Sequence, residues 1–342
     1  MNSPKTPLLL CCDWGTTSFR LQLVEADTLR MMAKTTEGEG ILTTFRTWTA
    51  SGQPESNRLV FYLGTLRDRI VSLEHQTGQS LSGVPLILSG MASASVGMCD
   101  IAYRKLPLAV DGSDLEVLTM PASPEFPHPF AIVSGACTDA DVMRGEETLL
   151  VGALANRAIG DDARLVILPG THSKHVSIRL GRAVNVATYM TGEFFALLSQ
   201  HSILAQTVGD AGSFEQADHR DSFIGGVRDA ANGNLLHDCF SIRARHLLGH
   251  ASKSSNFHRL SGLLIGAELK EITAREPAGL WLVSGTELQP FYAAAIRALF
   301  PTLPITSCDA DEALLRGQRT IALRVGLLQN LLETSSAPAR AD

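Results

Sequence analysis

Residues 8–24 read LLLCCDWGTTSFRLQLV, and residues 165–178 read LVILPGTHSKHVSI. Each stretch is a pair of β-rich runs separated by a glycine-containing turn, the layout of a β-hairpin. Each carries G-T-x-S at the turn: Gly15, Thr16, Thr17 and Ser18 in the first, Gly170, Thr171, His172 and Ser173 in the second. This is a weak internal repeat. A duplicated α/β lobe would set one such turn at the mouth of each half, facing each other across a cleft. Length agrees, since 342 residues and 36.7 kDa exceed what one core usually serves and two domains are the expectation.

Outward from the hairpins, VPLILSGMASASVGM (84–98) reads as a buried strand entering a small-residue loop, and PASPEFPHP (121–129) as a proline-rich surface loop. MRGEETLLVGAL (143–154) reads as a helix that opens with acids and buries Leu149, Leu150, Ala153 and Leu154. FSIRARHLL (240–248) and LSGLLIGAEL (260–269) have helical character on either side of a polar HASKSSN stretch. LWLVSGTEL (280–288) is a strand with a glycine turn, followed by a helix with Pro290 in its first turn. The tail ETSSAPARAD (333–342) is expected to be disordered.

Composition narrows the function. Hydrophobic residues make up 45% and charged residues 19%, an ordinary globular balance. The net charge of −6 and the absence of a Lys/Arg run speak against nucleic acid and favour small-molecule partners. Six cysteines without a CxxC pair read as reduced cytosolic thiols, with Cys11 and Cys12 on opposite faces of one strand. The polar start MNSPKTP and the lack of any run of about 18 apolar residues predict no signal peptide and no membrane span, hence a cytoplasmic protein.

The turns carry the chemistry. Successive N–H groups and the threonine and serine hydroxyls of a glycine turn can donate to phosphate oxygens. Asp13, just ahead of the first turn, is placed to hold Mg2+ through water. Arg20 falls on the strand face opposite Phe19, Leu21 and Leu23, where it can meet transferring charge. An ordinary hairpin with Asp13 on backbone amides and Arg20 solvated also fits. In the second turn, His172, Lys174 and His175 lack a third metal ligand of matching spacing, so phosphate contact is preferred over a metal cluster. For a general base the candidates are Asp139, Asp141, Glu146 and Glu147. The last two also fit acids placed in a first helical turn by its dipole alone. No GxxxxGK[ST], HExxH, GxSxG or strand-linked GxGxxG occurs.

Taken together, DWGTTSFR (13–20), VMRGEETLLVGA (142–153), LPGTHSKHV (168–176), YMTGEF (189–194), FSIRARHLLG (240–249), LSGLLIGAE (260–268) and LVSGTEL (282–288) closely resemble the 2-dehydro-3-deoxygalactonokinase family over about residues 8–325. That family is part of the sugar kinase, actin and heat-shock chaperone ATPase superfamily. The resemblance implies two ribonuclease-H-like lobes with an inter-domain cleft. It implies a partition into an N-terminal lobe (1–142), a connecting helix region (143–160), a C-terminal lobe (161–332) and a tail (333–342). It also implies an ATP- and Mg2+-dependent kinase acting on a small sugar acid, with a homo-oligomer allowed.

By the same resemblance, Asp13, Gly15, Thr16 and Thr17 form the first phosphate hairpin. Gly170, Thr171, His172 and Lys174 belong to the second, and Ser284, Gly285 and Thr286 form the adenosine turn. His172 departs from the small residue common at its place, and the adenosine turn has one glycine where many relatives have two. Glu146 takes the place of the catalytic aspartate of related kinases, with Asp141 second and Arg20 as charge stabiliser. Ser89, Gly90, Met91 and Arg144 are the expected acceptor contacts. The rivals are a kinase for another sugar acid or polyol, and a non-catalytic nucleotide sensor.

Overall fold

The computed structural model describes residues 6–155, 157, 163–275 and 277–328. The expected disordered tail, 333–342, lies outside the described residues. Over the described residues the chain divides into two compact units, one of residues 6–157, 181–183 and 310–328, the other of 163–180 and 184–309.

In the first unit the opening hairpin forms as read: β1 (Leu8–Trp14) and β2 (Phe19–Glu25) pair antiparallel, with Asp13 opposite Arg20. β3 (Met31–Glu37) extends the meander, and α1 (Ile41–Ala50) and α2 (Arg58–Thr77) follow. β4 (Leu86–Gly90) then runs parallel to β1. After the short strands β5 (Arg104–Lys105) and β6 (Leu108–Ala109) come β7 (Val117–Met120) and β8 (Phe130–Val133). These complete a sheet of order β3-β2-β1-β4-β8-β7. β9 (Ala136–Cys137) and β10 (Val142–Met143) join β5 in a small sheet, and α3 (Glu146–Leu154) follows.

The second unit repeats the plan. β11 (Arg164–Leu168), β12 (Ser173–Arg179) and β13 (Arg182–Tyr189) form the meander, and α4 (Thr191–His201) stands where α1 does. The helices α5 (Ala217–Asn232), α6 (Leu235–Leu247) and α7 (Lys253–Leu269) precede β14 (Gly279–Ser284), α8 (Gln289–Leu299) and β15 (Ile305–Asp309). Its strands lie in the order β15-β14-β11-β12-β13, with β14 parallel to both β11 and β15. Read from the third strand, β3-β2-β1-β4-β8 and β13-β12-β11-β14-β15 are one topology used twice, the ribonuclease-H-like order. The Ser252 hydroxyl caps α7 by accepting from Ser255 N–H, so the polar HASKSSN stretch already holds the start of that helix.

The last helix, α9 (Ala310–Arg324), returns to the first unit. One face of the first sheet packs Leu10, Cys12, Trp14, Phe19 and Leu21 against α1 and α2. The other packs Leu9, Cys11, Val24 and Ile87 against Val151 of α3 and Leu315, Ile321 and Ala322 of α9. The two adjacent cysteines do point to opposite faces. The alternation read into β2 does not leave its second face wet, however: Gln22 is 2% exposed and Val24 is buried. Val24 packs with residues of α3 and of α9, the latter almost the whole chain away in sequence. α3, read as a connecting region, and α9, read as part of the C-terminal lobe, thus pack within the first unit. All six cysteines are free, and no described helix is long and apolar enough to cross a membrane.

α3 and α9 cross at backbone contact. A Cβ on Gly152 would lie 1.7 Å from Ala313 O, and one on Gly317 2.0 Å from Thr148 O. Neither helix can carry a side chain at the crossing. Gly152→Ala is therefore expected to cost about 1–3 kcal/mol of stability, the scale of core overpacking. A denaturation midpoint equal to that of the unaltered protein would refute this reading of the crossing.

Candidate active site

At the end of β1 the chain presents Asp13, then turns through Gly15, whose N–H donates to Ser18 O at 2.9 Å. Thr16, Thr17 and Ser18 are exposed. The turn is held from behind by the start of α1: Ile41 N–H donates to Gly15 O (2.9 Å) and Leu42 N–H to Thr16 O (3.3 Å). A Cβ on Gly40 would lie 2.5 Å from the Thr16 carbonyl and from Ser18 N, so this approach requires glycine. Two turn carbonyls are thereby committed to the helix.

The second turn is built the same way. Glu193 N–H, in the first turn of α4, donates to Thr171 O at 3.1 Å, and a Cβ on Gly192 would lie 2.7 Å from Gly170 O. Thr171 and His172 are exposed, and His172 Nε2 meets Glu193 Oε2 at 2.5 Å. Lys174 is instead buried, and its Nζ donates to His172 O at 2.8 Å. Its ammonium thus braces the turn from within.

Beside this turn the second unit holds a mostly apolar cavity of about 250 Å3, walled by Gly170, Gly192, Phe195, Phe257, Leu288 and Phe291 among others. Glu287 and Leu288 line it directly after the Ser284–Thr286 turn. Ser284 itself is buried and donates to Gly285 O at 3.1 Å, whereas Gly285 and Thr286 are exposed. Sequence reasoning did not name the aromatic walls. The YMTGEF stretch was the available signal, because its Thr191 and Gly192 line the cavity and Phe195 follows directly.

In the first unit, four charged groups gather at the ends of β1, α3 and α9. Arg20 lies 3.9 Å from Asp13 Oδ2 and forms an ion pair with Asp311, in the first turn of α9. Burial raises the Asp13 pKa above the usual carboxylate value, Arg20 opposes the shift, and Glu146 and Asp311 add to it. Asp13 nevertheless keeps 30% of its side-chain exposure, so a cation can reach it. Asp13 and Asp311 share one guanidinium while Glu146 adds a further negative charge, and added positive charge would relieve the repulsion. Asp311 was missed, although the acid run CDADE (308–312) ahead of a helical pattern was legible.

The helix start at α3 is clipped by its own acids: Arg144 N–H donates to Glu146 Oε2 (2.9 Å) and Gly145 N–H to Glu147 Oε1 (2.8 Å). Glu146 is half-buried and Glu147 fully so. Asp141 sits at the turn between β9 and β10, its N–H on Thr138 Oγ1 (2.9 Å) and its Oδ1 accepting from Val142 N–H (2.8 Å). Asp139 is exposed and pairs with Lys105 at 2.6 Å.

The expected acceptor contacts divide. Ser89 is wholly buried, bonded to Thr148 Oγ1 (3.1 Å) and to Gln318 Nε2 (3.2 Å), and so ties β4 to α3 and α9. Gly90 is buried and Met91 half-buried. Arg144 donates to Ser93 O and Oγ and lies 4.1 Å from the Tyr103 ring centre. Together with Arg58, which donates to Gly97 O (2.8 Å), and Tyr62, which donates to Val96 O (2.7 Å), it fixes the small-residue loop after β4.

Residues 13–321 match the family model described as 2-keto-3-deoxy-galactonokinase. The chain belongs to this family. The 2-dehydro-3-deoxygalactonokinase of Escherichia coli (strain K12) is 31% identical over 325 residues, which are 93% of this chain and 98% of that one. A probable 2-dehydro-3-deoxygalactonokinase of Rhizobium meliloti (strain 1021) is 32% identical over 316 residues, 89% of this chain and 93% of its own length. The crystal structure of a candidate 2-dehydro-3-deoxygalactonokinase from Sinorhizobium meliloti superposes with a TM-score of 0.73 at 28% identity, covering 93% of this chain and 99% of that one.

In this member of the galactonokinase family, burial, reinforced by Glu146, pushes the Glu147 carboxyl from 4.5 up to about 8. Its Oε2 is buried without a hydrogen-bond partner. The folded protein therefore holds a proton there that the unfolded chain releases, and stability falls as pH rises from 4.5 to 8. Glu147→Gln keeps an oxygen for Gly145 N–H and removes the titration. The variant should gain on the unaltered protein by up to about 1.4 kcal/mol per pH unit across that window. Denaturation curves at pH 5 and 8, in chelator, with a constant difference between the two proteins would refute the assignment.

Proposed function

We propose that the chain transfers the γ-phosphoryl group of ATP to the terminal hydroxyl of 2-dehydro-3-deoxy-D-galactonate, giving ADP and the 6-phosphate. The observation that carries this reading is Asp13, pressed by Glu146 and Asp311 and standing directly before an exposed glycine-threonine turn. Family membership supplies the acceptor.

The donor chemistry fits magnesium. Asp13 offers a hard oxygen in an electron-rich setting, and no cage of three or more His, Cys, Asp or Glu is assembled among the described residues. A Mg2+ ion keeps several waters and takes one or two carboxylates together with phosphate oxygens. Asp13 would hold it, and the bound ion would neutralise charge developing on the phosphates. In the second unit the aromatic-walled cavity would take the nucleoside, with Gly170, Thr171 and His172 at its edge for the phosphates.

Glu146 would receive the proton of the acceptor hydroxyl. Its carboxylate stands at the start of α3 within electrostatic reach of Asp13, which Asp141 does not approach in the same way. Arg20, paired with Asp13 and Asp311, would set the charge balance there. The loop after β4, held by Arg58, Tyr62 and Arg144, would form the rigid wall of the acceptor site.

Purified protein should release ADP only when 2-dehydro-3-deoxygalactonate is supplied. Equal turnover with another sugar acid in a panel would reassign the acceptor, and ATP binding without acceptor-dependent turnover would favour a sensor. Glu146→Gln should lose about 10²–10⁴ in turnover, the usual contribution of a positioned base. Asp141→Asn should remain near the unaltered rate, and the opposite pattern would move the base to Asp141.

A further inference from the structure

We propose that Glu268 is a positioning residue for the nucleotide, acting through a buried hydroxyl network beneath the cavity of the second unit. The inference rests on the reading that ATP occupies that cavity. Glu268, near the end of α7, is only 2% exposed, so its carboxylate is satisfied from inside the unit. It accepts four side-chain hydrogen bonds. Ser173 Oγ (2.7 Å) and His175 Nε2 (2.9 Å) meet Oε1, while Tyr292 OH (2.7 Å) and Thr191 Oγ1 meet Oε2.

The four donors belong to three supports of the same pocket. Ser173 and His175 begin β12, directly after the Gly170–His172 turn. Thr191 opens α4, whose next two residues buttress that turn through Gly192 and the Glu193 amide. Tyr292 lies on α8, which follows the Ser284–Thr286 turn, and Thr191 and Tyr292 both line the cavity. One carboxylate therefore sets the spacing of turn, helix start and cavity wall. The His175 ring also packs at 4.6 Å on Tyr189, which limits how far it can swing.

A carboxylate suits this post because it only accepts. Four donors converge on two oxygens with room for each. In a glutamine the amide nitrogen would face two hydroxyls as a donor, and both would have to reverse their hydrogen bonds. Glu268→Gln preserves volume while loosening the register of the supports.

The expected result for Glu268→Gln is a KM for ATP raised about tenfold, with kcat within about twofold and an unchanged KM for the sugar acid. Tyr292→Phe and Ser173→Ala, which each remove one donor, should raise the KM for ATP by less, and they keep the test open if Glu268→Gln does not fold. ADP binding by calorimetry should weaken in parallel, while the melting temperature without nucleotide moves little. Folded variants with unaltered KM for ATP overturn the inference, as does an equal rise in both KM values together with a lowered melting temperature, which marks a general structural role. Unaltered protein that binds no ADP overturns the nucleotide reading, and this inference with it. Normal binding in the unaltered protein and the variants alike overturns the inference alone.

Discussion

An amide at the start of a helix, Ile41 toward Gly15 in one unit and Glu193 toward Thr171 in the other, decides what each glycine-threonine turn can offer a ligand. Each bond alone contributes on the order of 1 kcal/mol. Their importance is directional. With the carbonyls committed to a helix, the exposed flank of each turn keeps the residues that donate to an oxyanion. The glycines at 40 and 192 let helix and turn come close enough, each near the start of the helix that follows the meander in its unit. The weak repeat seen in the turn residues is thus one part of a longer one that includes the helix behind the turn.

Local pattern carried much of the fold into view. The hairpins, the strand–glycine–helix at 280–299 and the amphipathic α8 follow from periodicity and turn residues that act within a few positions. What stayed hidden depends on partners distant in sequence. Gln22 looks like a wet strand position, yet it is buried on the face whose neighbour Val24 packs with α9. Ser89 looks like a loop hydroxyl available to a sugar, but Thr148 and Gln318 claim it inside the unit. Lys174 looks like a solvent-facing turn lysine, yet it is buried with its ammonium donating to His172 O.

The site divides in the same way. Asp13 and its turn announce themselves by spacing, and Glu146 by its place after a glycine at a helix start. Asp311 belongs with them only because α9 folds back, and Glu268 becomes meaningful only when three separate elements converge on it. In both cases a charged group is found where several chain segments meet. Such groups show at most an ordinary local pattern, such as the acids of CDADE at a helix start, because what makes them special is the company they keep.

The return of α9 has a consequence for how the molecule is made. On the ribosome the opening strands emerge first, but the apolar flank formed by Leu9, Cys11, Val24 and Ile87 is covered by α3 only in part and waits for α9 to complete its shelter. The second unit, whose described residues all lie between 163 and 309, can mature earlier than the one that precedes it. Vectorial synthesis therefore leaves the N-terminal half as the late finisher, with its nascent sheet the surface that most needs protection from stray association.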